Sequence, residues 1–353
     1  MPNICLRLCR PAVVKFEATV NRETPNPNPE NHAHAPRPMS MRAARITAPR
    51  RIEIESVPVP APSAGQVCIR LEGCGVCGSN LAVWQGRPWF QYPLMQGAPG
   101  HEGWGRISAV GDGVANFHVG ARVAFLSDRS FSEYALADAR SLVAAPRRCE
   151  VFPGEALGCA VNVFRRSRIE RDQNIAVIGS GFLGALLIQL AARAGARVFA
   201  LSRRPFAREI ARRAGAAEVF GADHDSVARI LCATAGEGCE RVIEAAGTQD
   251  SLDLASRLIK VRGRMVIAGY HQDGSRQVDM QLWNWRGIDV INAHERSPAA
   301  YLSGMSAAAD LIEGNALDPS SLYTHRFALD RLPDAFEMLE QRPAGFLKGW
   351  IGF

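Results

Sequence analysis

Apolar and polar positions divide the chain into two textures. From residue 41 to about 160, short runs such as RIEIESVPVP, QVCIRLEGCGVCG, GWGRISAVG and ARVAFL alternate between Gly- and Pro-containing links. Alternation of period two, enriched in β-branched residues, predicts strands with one buried face. This part reads as a mostly-β, loop-rich domain opened by the strand MRAARI at Met41. Near residue 174 the texture changes. NIAVIG and RVFAL are continuous apolar runs, and the stretches FLGALLIQLAARAG and PFAREIARRAG that follow them have helical spacing. The pattern continues through AEVFG, DSVARILCATAG, RVIEAAG, SLDLASRLIK, RMVIAGY and GIDVINAH. Strand–helix alternation of this kind predicts an α/β domain with a doubly wound parallel sheet, helices covering both faces. After residue 295 come a long helix, a strand near HRFAL and a helix begun by Pro333.

The expected organisation is an extension over 1–40, a mostly-β domain over 41–160, a parallel-sheet domain over 161–295 and a C-terminal return over 296–353 that rejoins the first domain. The extension is expected to be disordered, because TPNPNPENHAHAPRP holds five prolines and nothing bulky enough to anchor a core. His32 and His34 within it read as linker residues, having no further ligand nearby to make a metal tail.

Composition narrows the classes. Apolar residues make up 47% and charged ones 22%, enough for full cores. No apolar run reaches the roughly 18 residues of a membrane span, so no membrane partner is expected. The net charge of +6 comes from scattered arginines, with lysine only at Lys15, Lys260 and Lys348. A nucleic-acid partner would need basic residues gathered on one face, and none is expected. Nine cysteines at irregular spacing argue against a disulfide framework and for a reducing cytoplasm.

Gly179-Ser180-Gly181-Phe182-Leu183-Gly184 is GxGxxG, placed after a predicted strand and at the start of a predicted helix. In that context Gly179 makes the tight turn, Gly181 lets backbone approach a pyrophosphate, and Gly184 lets the helix pack close to the strand. About twenty residues on, an NAD site carries a carboxylate for the ribose hydroxyls. Here stand Ser202-Arg203-Arg204. A hydroxyl and two guanidiniums suit a 2′-phosphate, so NADP is the expected coenzyme, with NAD possible. The alternative is that Arg203 and Arg204 merely solvate a helix start.

Gly73-Cys74-Gly75-Val76-Cys77-Gly78-Ser79-Asn80 and, downstream, Gly100-His101-Glu102-Gly103-Trp104-Gly105 bring in a resemblance. With VGDGV, GARV and the later GxGxxG, these blocks resemble the zinc-dependent alcohol and polyol dehydrogenases of the medium-chain dehydrogenase/reductase superfamily, in its sorbitol-dehydrogenase-like branch. The resemblance runs from about Met41 to Phe353. It implies a GroES-like catalytic domain, a Rossmann coenzyme domain and an active site in the cleft between them. It implies that Cys77 and His101 are catalytic zinc ligands, that Glu102 is a second carboxylate able to swap onto the metal, and that Glu155 is the third ligand. Cys159, four residues later, is the rival for that third position. It implies that Ser79 takes the alcohol proton, and that Lys348 contacts the coenzyme pyrophosphate, where the alternative is a plain exposed lysine. A thiolate, an imidazole and a carboxylate leave an open position on zinc for an alcohol oxygen.

Three departures from the family pattern stand out. No cysteine occurs between His101 and Tyr134, so the structural-zinc lobe is missing and one zinc per chain is expected. Asn80 replaces the usual Asp that accepts from the zinc-bound histidine, and Ala82 replaces a relay histidine. Cys74 reads as a buried thiol. The aromatics Trp89-Phe90 and Trp283–Gly287 are candidate pocket bulk, more often packing than recognition, and His271 is a minor candidate near the nicotinamide. The expected activity is reversible hydride transfer between a secondary alcohol or polyol and NADP, by a homodimer or homotetramer. Its rivals are a zinc-free quinone or enoyl reductase of the same superfamily and a non-catalytic nicotinamide-binding protein.

Overall fold

The computed structural model describes residues 38–353. The expected extension, with His32 and His34, lies outside the described residues up to residue 37. The first element among the described residues is the hairpin β1 (Ser40–Ala48) and β2 (Arg51–Pro58). β3 (Gln66–Gly75) and β4 (Glu102–Val110) pair antiparallel, with Gly75 opposite Glu102. Between them the chain makes a short helix, α1 (Leu81–Trp84). β5 (Arg122–Phe125), β6 (Tyr134–Asp138) and β7 (Leu142–Ala144) add to the same sheet, and α2 (Gly154–Ser167) leads out of it.

The second sheet holds β8 (Asn174–Ile178), β9 (Arg197–Leu201), β10 (Glu218–Phe220), β11 (Cys239–Glu244), β12 (Ile259–Ile267) and β13 (Asp289–Asn292). All its pairings are parallel, in the order β10-β9-β8-β11-β12-β13. This is the order of a doubly wound nucleotide-binding sheet, with its switch point at the C-terminal ends of β8 and β11. The helices between strands are α3 (Phe182–Arg193), α4 (Pro205–Arg213), α5 (His224–Ala233), α6 (Gln249–Leu258) and α7 (Met280–Arg286). Residues 175–178 and 198–201 are all buried, which is why their sequences read as unbroken apolar runs.

The chain then enters α8 (Pro298–Glu313), β14 (Tyr323–Phe327), α9 (Leu332–Gln341) and β15 (Lys348–Gly352). β15 pairs antiparallel with β3, placing Trp350 opposite Gly75, and β14 pairs parallel with β15. The last strand thus lies against the strand that leads into Cys77. Helix α2 carries Leu157 and Val161 into a core shared with Trp104 and Ala124 of the first sheet, Ala185 and Leu186 of α3, and Met305 of α8. That core fixes α2 between the two sheets, and each such fully buried side chain contributes about 1.5–3 kcal/mol. Among the described residues no helix is long and apolar enough to cross a membrane.

Candidate active site

The pairing of Gly75 with Glu102 brings the segment after β3 beside the segment before β4. As a result Cys77, His101 and Glu102 each present a ligand atom within 4.8 Å of the others. Only glycine fits at position 75, because the Glu102 carboxylate occupies the space a Cβ would take. Nδ1 of His101 donates to the Pro99 carbonyl at 2.9 Å, so Nε2 is the nitrogen left facing the cluster. Burial works against the imidazolium, but the bond to Cys77 and the charges of Cys77, Glu155 and Glu102 outweigh it. They push His101 from its ordinary 6.5 up to about 10. A thiol, an imidazole and a carboxylate gathered this closely form a donor set that suits zinc.

Glu155, in the first turn of α2, faces the same cluster. Burial raises the pKa of its carboxyl, and the charge of His101 partly reverses that. It lies outside the 4.8 Å group, which takes Glu102 as its carboxylate. Cys159 lies one helical turn on, and its Sγ donates to Glu155 Oε1 at 3.2 Å. Ser79 Oγ is 3.5 Å from His101 Nε2 and 3.4 Å from Asn80 Oδ1. Asn80 does not take the role given to the family's Asp. Its Nδ2 donates to the Pro99 carbonyl at 3.4 Å, the acceptor that His101 also uses. The backbone carbonyl replaces the side chain as the partner that orients the imidazole.

Lys348, from β15, is buried, and its Nζ lies 2.7 Å from Glu102 Oε1. The same ammonium stands 4.9 Å from the centre of the Phe182 ring, inside the glycine turn. One side chain therefore lies against both the Cys77–His101–Glu102 cluster and the glycine turn. In that turn Gly179 has φ of +101°, a conformation glycine adopts without strain. A Cβ at Gly184 would run into the Gly179 carbonyl, so the close helix–strand packing is present. At Gly181 a Cβ would meet open space, and Ser180 Oγ beside it is buried without a hydrogen-bond partner. A free donor and an open cradle at the N-terminus of α3 suit a pyrophosphate.

At the end of β9, Ser202 is buried and Arg203 is exposed. Arg204 donates to the Phe346 carbonyl at 2.7 Å. Arg342, which the sequence reading did not single out, joins them from the end of α9. Burial lowers the pKa of both Arg204 and Arg342, and the neighbouring charges that lower them further are guanidiniums, Arg342 on Arg204 and Arg203 on Arg342. Such a cluster suits a dianionic group.

Other candidates lie apart from the chemistry. Cys74 is buried, and burial pushes its thiol up. Both ring nitrogens of His271 are engaged, Nε2 with Glu244 at 2.9 Å and Nδ1 with Arg276 at 2.8 Å. Trp283 Nε1 donates to Ser256 at 2.9 Å, a packing role, while Trp89 is 59% exposed. The sequence also gave no sign of Gln272, whose Nε2 donates to the Gly78 carbonyl at 3.2 Å and ties the loop after β12 to the Cys77 segment.

Two families match this chain. Residues 63–147 match the alcohol dehydrogenase GroES-like domain, and residues 183–309 match zinc-binding dehydrogenase. The chain is 29% identical over 272 residues to (R,R)-butanediol dehydrogenase of Bacillus subtilis, covering 66% of this chain and 79% of that protein. A short chain alcohol dehydrogenase (rspB) from E. coli CFT073, solved with NADH, superimposes with a TM-score of 0.80 at 22% identity over 90% of this chain and 100% of that one. A dehydrogenase from Sinorhizobium meliloti 1021 bound to NADP gives a TM-score of 0.78 at 24% identity over 89% and 99%. With the GroES-like and Rossmann-type sheets in place, this chain belongs to the zinc-dependent alcohol and polyol dehydrogenase branch of the medium-chain dehydrogenase/reductase superfamily.

Proposed function

We propose that this protein is a zinc-dependent oxidoreductase that transfers hydride between a secondary alcohol or polyol and NADP. The observation that carries the reading is the convergence of Cys77, His101 and Glu102 within 4.8 Å, joined through Lys348 to the glycine turn. Zinc bound there would polarise the alcohol oxygen, and NADP would take the hydride.

The chain's own residues supply the rest. Cys77 and His101 hold the metal, with Glu155 as third ligand and Glu102 close enough to exchange with it. Pro99 fixes the His101 tautomer, leaving Nε2 for coordination. Ser79 Oγ accepts the hydroxyl proton and passes it to solvent, since Ala82 carries no proton-accepting group. Gly179, Gly181 and Gly184 admit the pyrophosphate, and Ser202, Arg203 and Arg204 receive the 2′-phosphate. Lys348 balances Glu102 beside the coenzyme turn. The catalytic domain is 41–160 with the return 296–353, and the coenzyme domain is 161–295. β13 ends the parallel sheet with Val290 38% exposed, and Trp285 stands 87% exposed on the neighbouring α7. An open, partly apolar sheet edge of this kind supports a homodimer or homotetramer. The cysteines among the described residues are free thiols, in keeping with a reducing cytoplasm.

The test is a spectrophotometric screen of simple secondary alcohols, cyclitols and sugar alcohols with oxidised NADP and NAD. The reading expects alcohol-dependent formation of reduced NADP by the zinc-loaded protein, abolished by chelation. Coenzyme binding with no alcohol-dependent reduction would favour a non-catalytic nicotinamide-binding protein. Metal-independent reduction of quinones or enoyl compounds would favour the zinc-free reductase.

A further inference from the structure

A cavity of about 1140 Å³ opens on the first sheet, and neither Cys77, His101 and Glu102 nor residues 179–184 line it. Its inner wall is aromatic. Glu102 and Trp104 lie on one face of β4, and Lys348 and Trp350 on one face of β15, so each indole stands two residues beyond the buried ion pair. The two indoles pack together with ring centres 5.6 Å apart. Glycines keep this wall close, since a Cβ at Gly73 would run into Trp104 and one at Gly352 into Arg326. The Arg326 guanidinium lies over the Trp350 ring, 5.2 Å from its centre.

The charges around the cavity do not balance. Six arginines and three glutamates line it, and two of the carboxylates are already engaged. Glu72 is shared by Arg106 at 2.9 Å and Arg122 at 2.6 Å, and Glu133 is held by Arg42 at 2.9 Å. Arg122 also donates to the Cys149 carbonyl at 2.6 Å, which ties the segment before α2 to the sheet. Glu150 is then left against four guanidiniums. Those of Arg70, Arg147 and Arg326 have no hydrogen bond or ion pair among the described residues. That of Arg148 has only the neutral Asn315 Oδ1, at 3.3 Å. Like charges gathered around one concavity focus a positive potential into it.

We propose that this cavity is a binding site for a small organic polyanion, a molecule with two or more phosphate or carboxylate groups, separate from the metal and coenzyme sites. Guanidiniums match both groups with paired N–H donors. Small-molecule sites typically measure about 300–1,000 Å³, so the cavity has room for an organic body as well as for its charges. The Trp350 ring gives the uncharged part of such a molecule an apolar wall. The unpaired guanidiniums line one concavity, which suits a small ligand, whereas a nucleic acid needs basic residues spread along a face.

The test titrates the full chain, in saturating NADP, with tripolyphosphate and separately with citrate, and reads binding by calorimetry. One anion per chain is expected to bind. Tighter binding of tripolyphosphate would assign the site to a phosphorylated ligand, and tighter binding of citrate to a polycarboxylate. Arg70→Gln and Arg326→Gln, which remove side chains that hold no hydrogen bond, should each weaken binding about 10–100-fold. The double variant Arg147→Gln/Arg148→Gln repeats the test from the opposite rim and should weaken it at least as much. Arg203→Ala, at the end of β9, should leave anion binding unchanged. No binding of either anion at millimolar concentration would overturn the proposal, as would full affinity in the Arg70, Arg326 and Arg147/Arg148 variants. Loss of binding in Arg203→Ala would also overturn it, by placing the anion in the coenzyme site.

Discussion

The ammonium of Lys348 lies 2.7 Å from Oε1 and 2.6 Å from Oε2 of Glu102, with only 6% and 0% of the two side chains exposed. The pair joins the last strand of the chain to β4, the strand that begins beside Cys77 and His101. Removing one member of a buried pair strands the other charge and typically costs about 3–5 kcal/mol, while replacing both costs far less. Lys348→Met and Glu102→Gln should each destabilise the metal-free protein by about that range, and the double variant should lose much less than the sum. Denaturant unfolding of the four proteins checks this. Additive losses would show that the two side chains are not coupled.

Metal uptake should displace a proton from His101. Coordination needs the neutral imidazole, whereas the metal-free site holds His101 up to about 10 against its ordinary 6.5. A raised folded-state value means that the imidazolium stabilises the metal-free fold fully below about 6.5 and loses that contribution as pH rises through about 10. Between those limits, zinc binding is expected to release about one proton from His101, and the metal-free protein should weaken as pH rises. Calorimetric zinc titrations in buffers of different ionisation enthalpy measure the release. Binding enthalpies independent of the buffer at pH 8 would contradict it.

Coenzyme choice should depend more on Arg203 than on Arg204, whose guanidinium already serves the Phe346 carbonyl. Charge-assisted hydrogen bonds of this kind are worth about 1.5–3 kcal/mol, so Arg203→Ala should lower kcat/KM for NADP about 10–100-fold. The efficiency with NAD should barely move. Adding Ser202→Asp should turn the preference towards NAD. An unmodified protein that uses NAD as efficiently as NADP would show this assignment to be wrong.

Proton transfer should depend on Ser79. Its hydroxyl is 3.5 Å from the ring nitrogen of His101 that faces the cluster, and acid–base help of this type is worth about 100–10,000-fold. Ser79→Ala should lose turnover within that range while keeping its zinc. Single-turnover measurements with an active alcohol would decide, and parental rates would mean that the proton leaves by another route.

The coenzyme sheet was legible because strands buried on both faces spell unbroken apolar runs, and GxGxxG sits where one of them ends. β15 was not read as a strand. KGWIG is five residues with two glycines, and its strand character comes from pairing with residues about 275 positions earlier in the chain. α7 was hidden in an aromatic stretch, read as bulk rather than as the short helix that the Asp279 side chain caps. At the site, Cys77 and His101 could be found from motifs, but the Pro99 carbonyl could not, because a backbone acceptor leaves no mark on the sequence. Glu155 and Cys159 stayed alternatives for a geometric reason: four residues apart on one helix, both face the same cluster.

Elemental analysis of the purified protein beside its Cys77→Ser variant tests the central claim most directly. The account predicts one zinc per chain in the unmodified protein, and in the variant no zinc and undiminished coenzyme binding. Unmodified protein without zinc, two tightly held zinc ions per chain, or zinc retained after Cys77→Ser would contradict it.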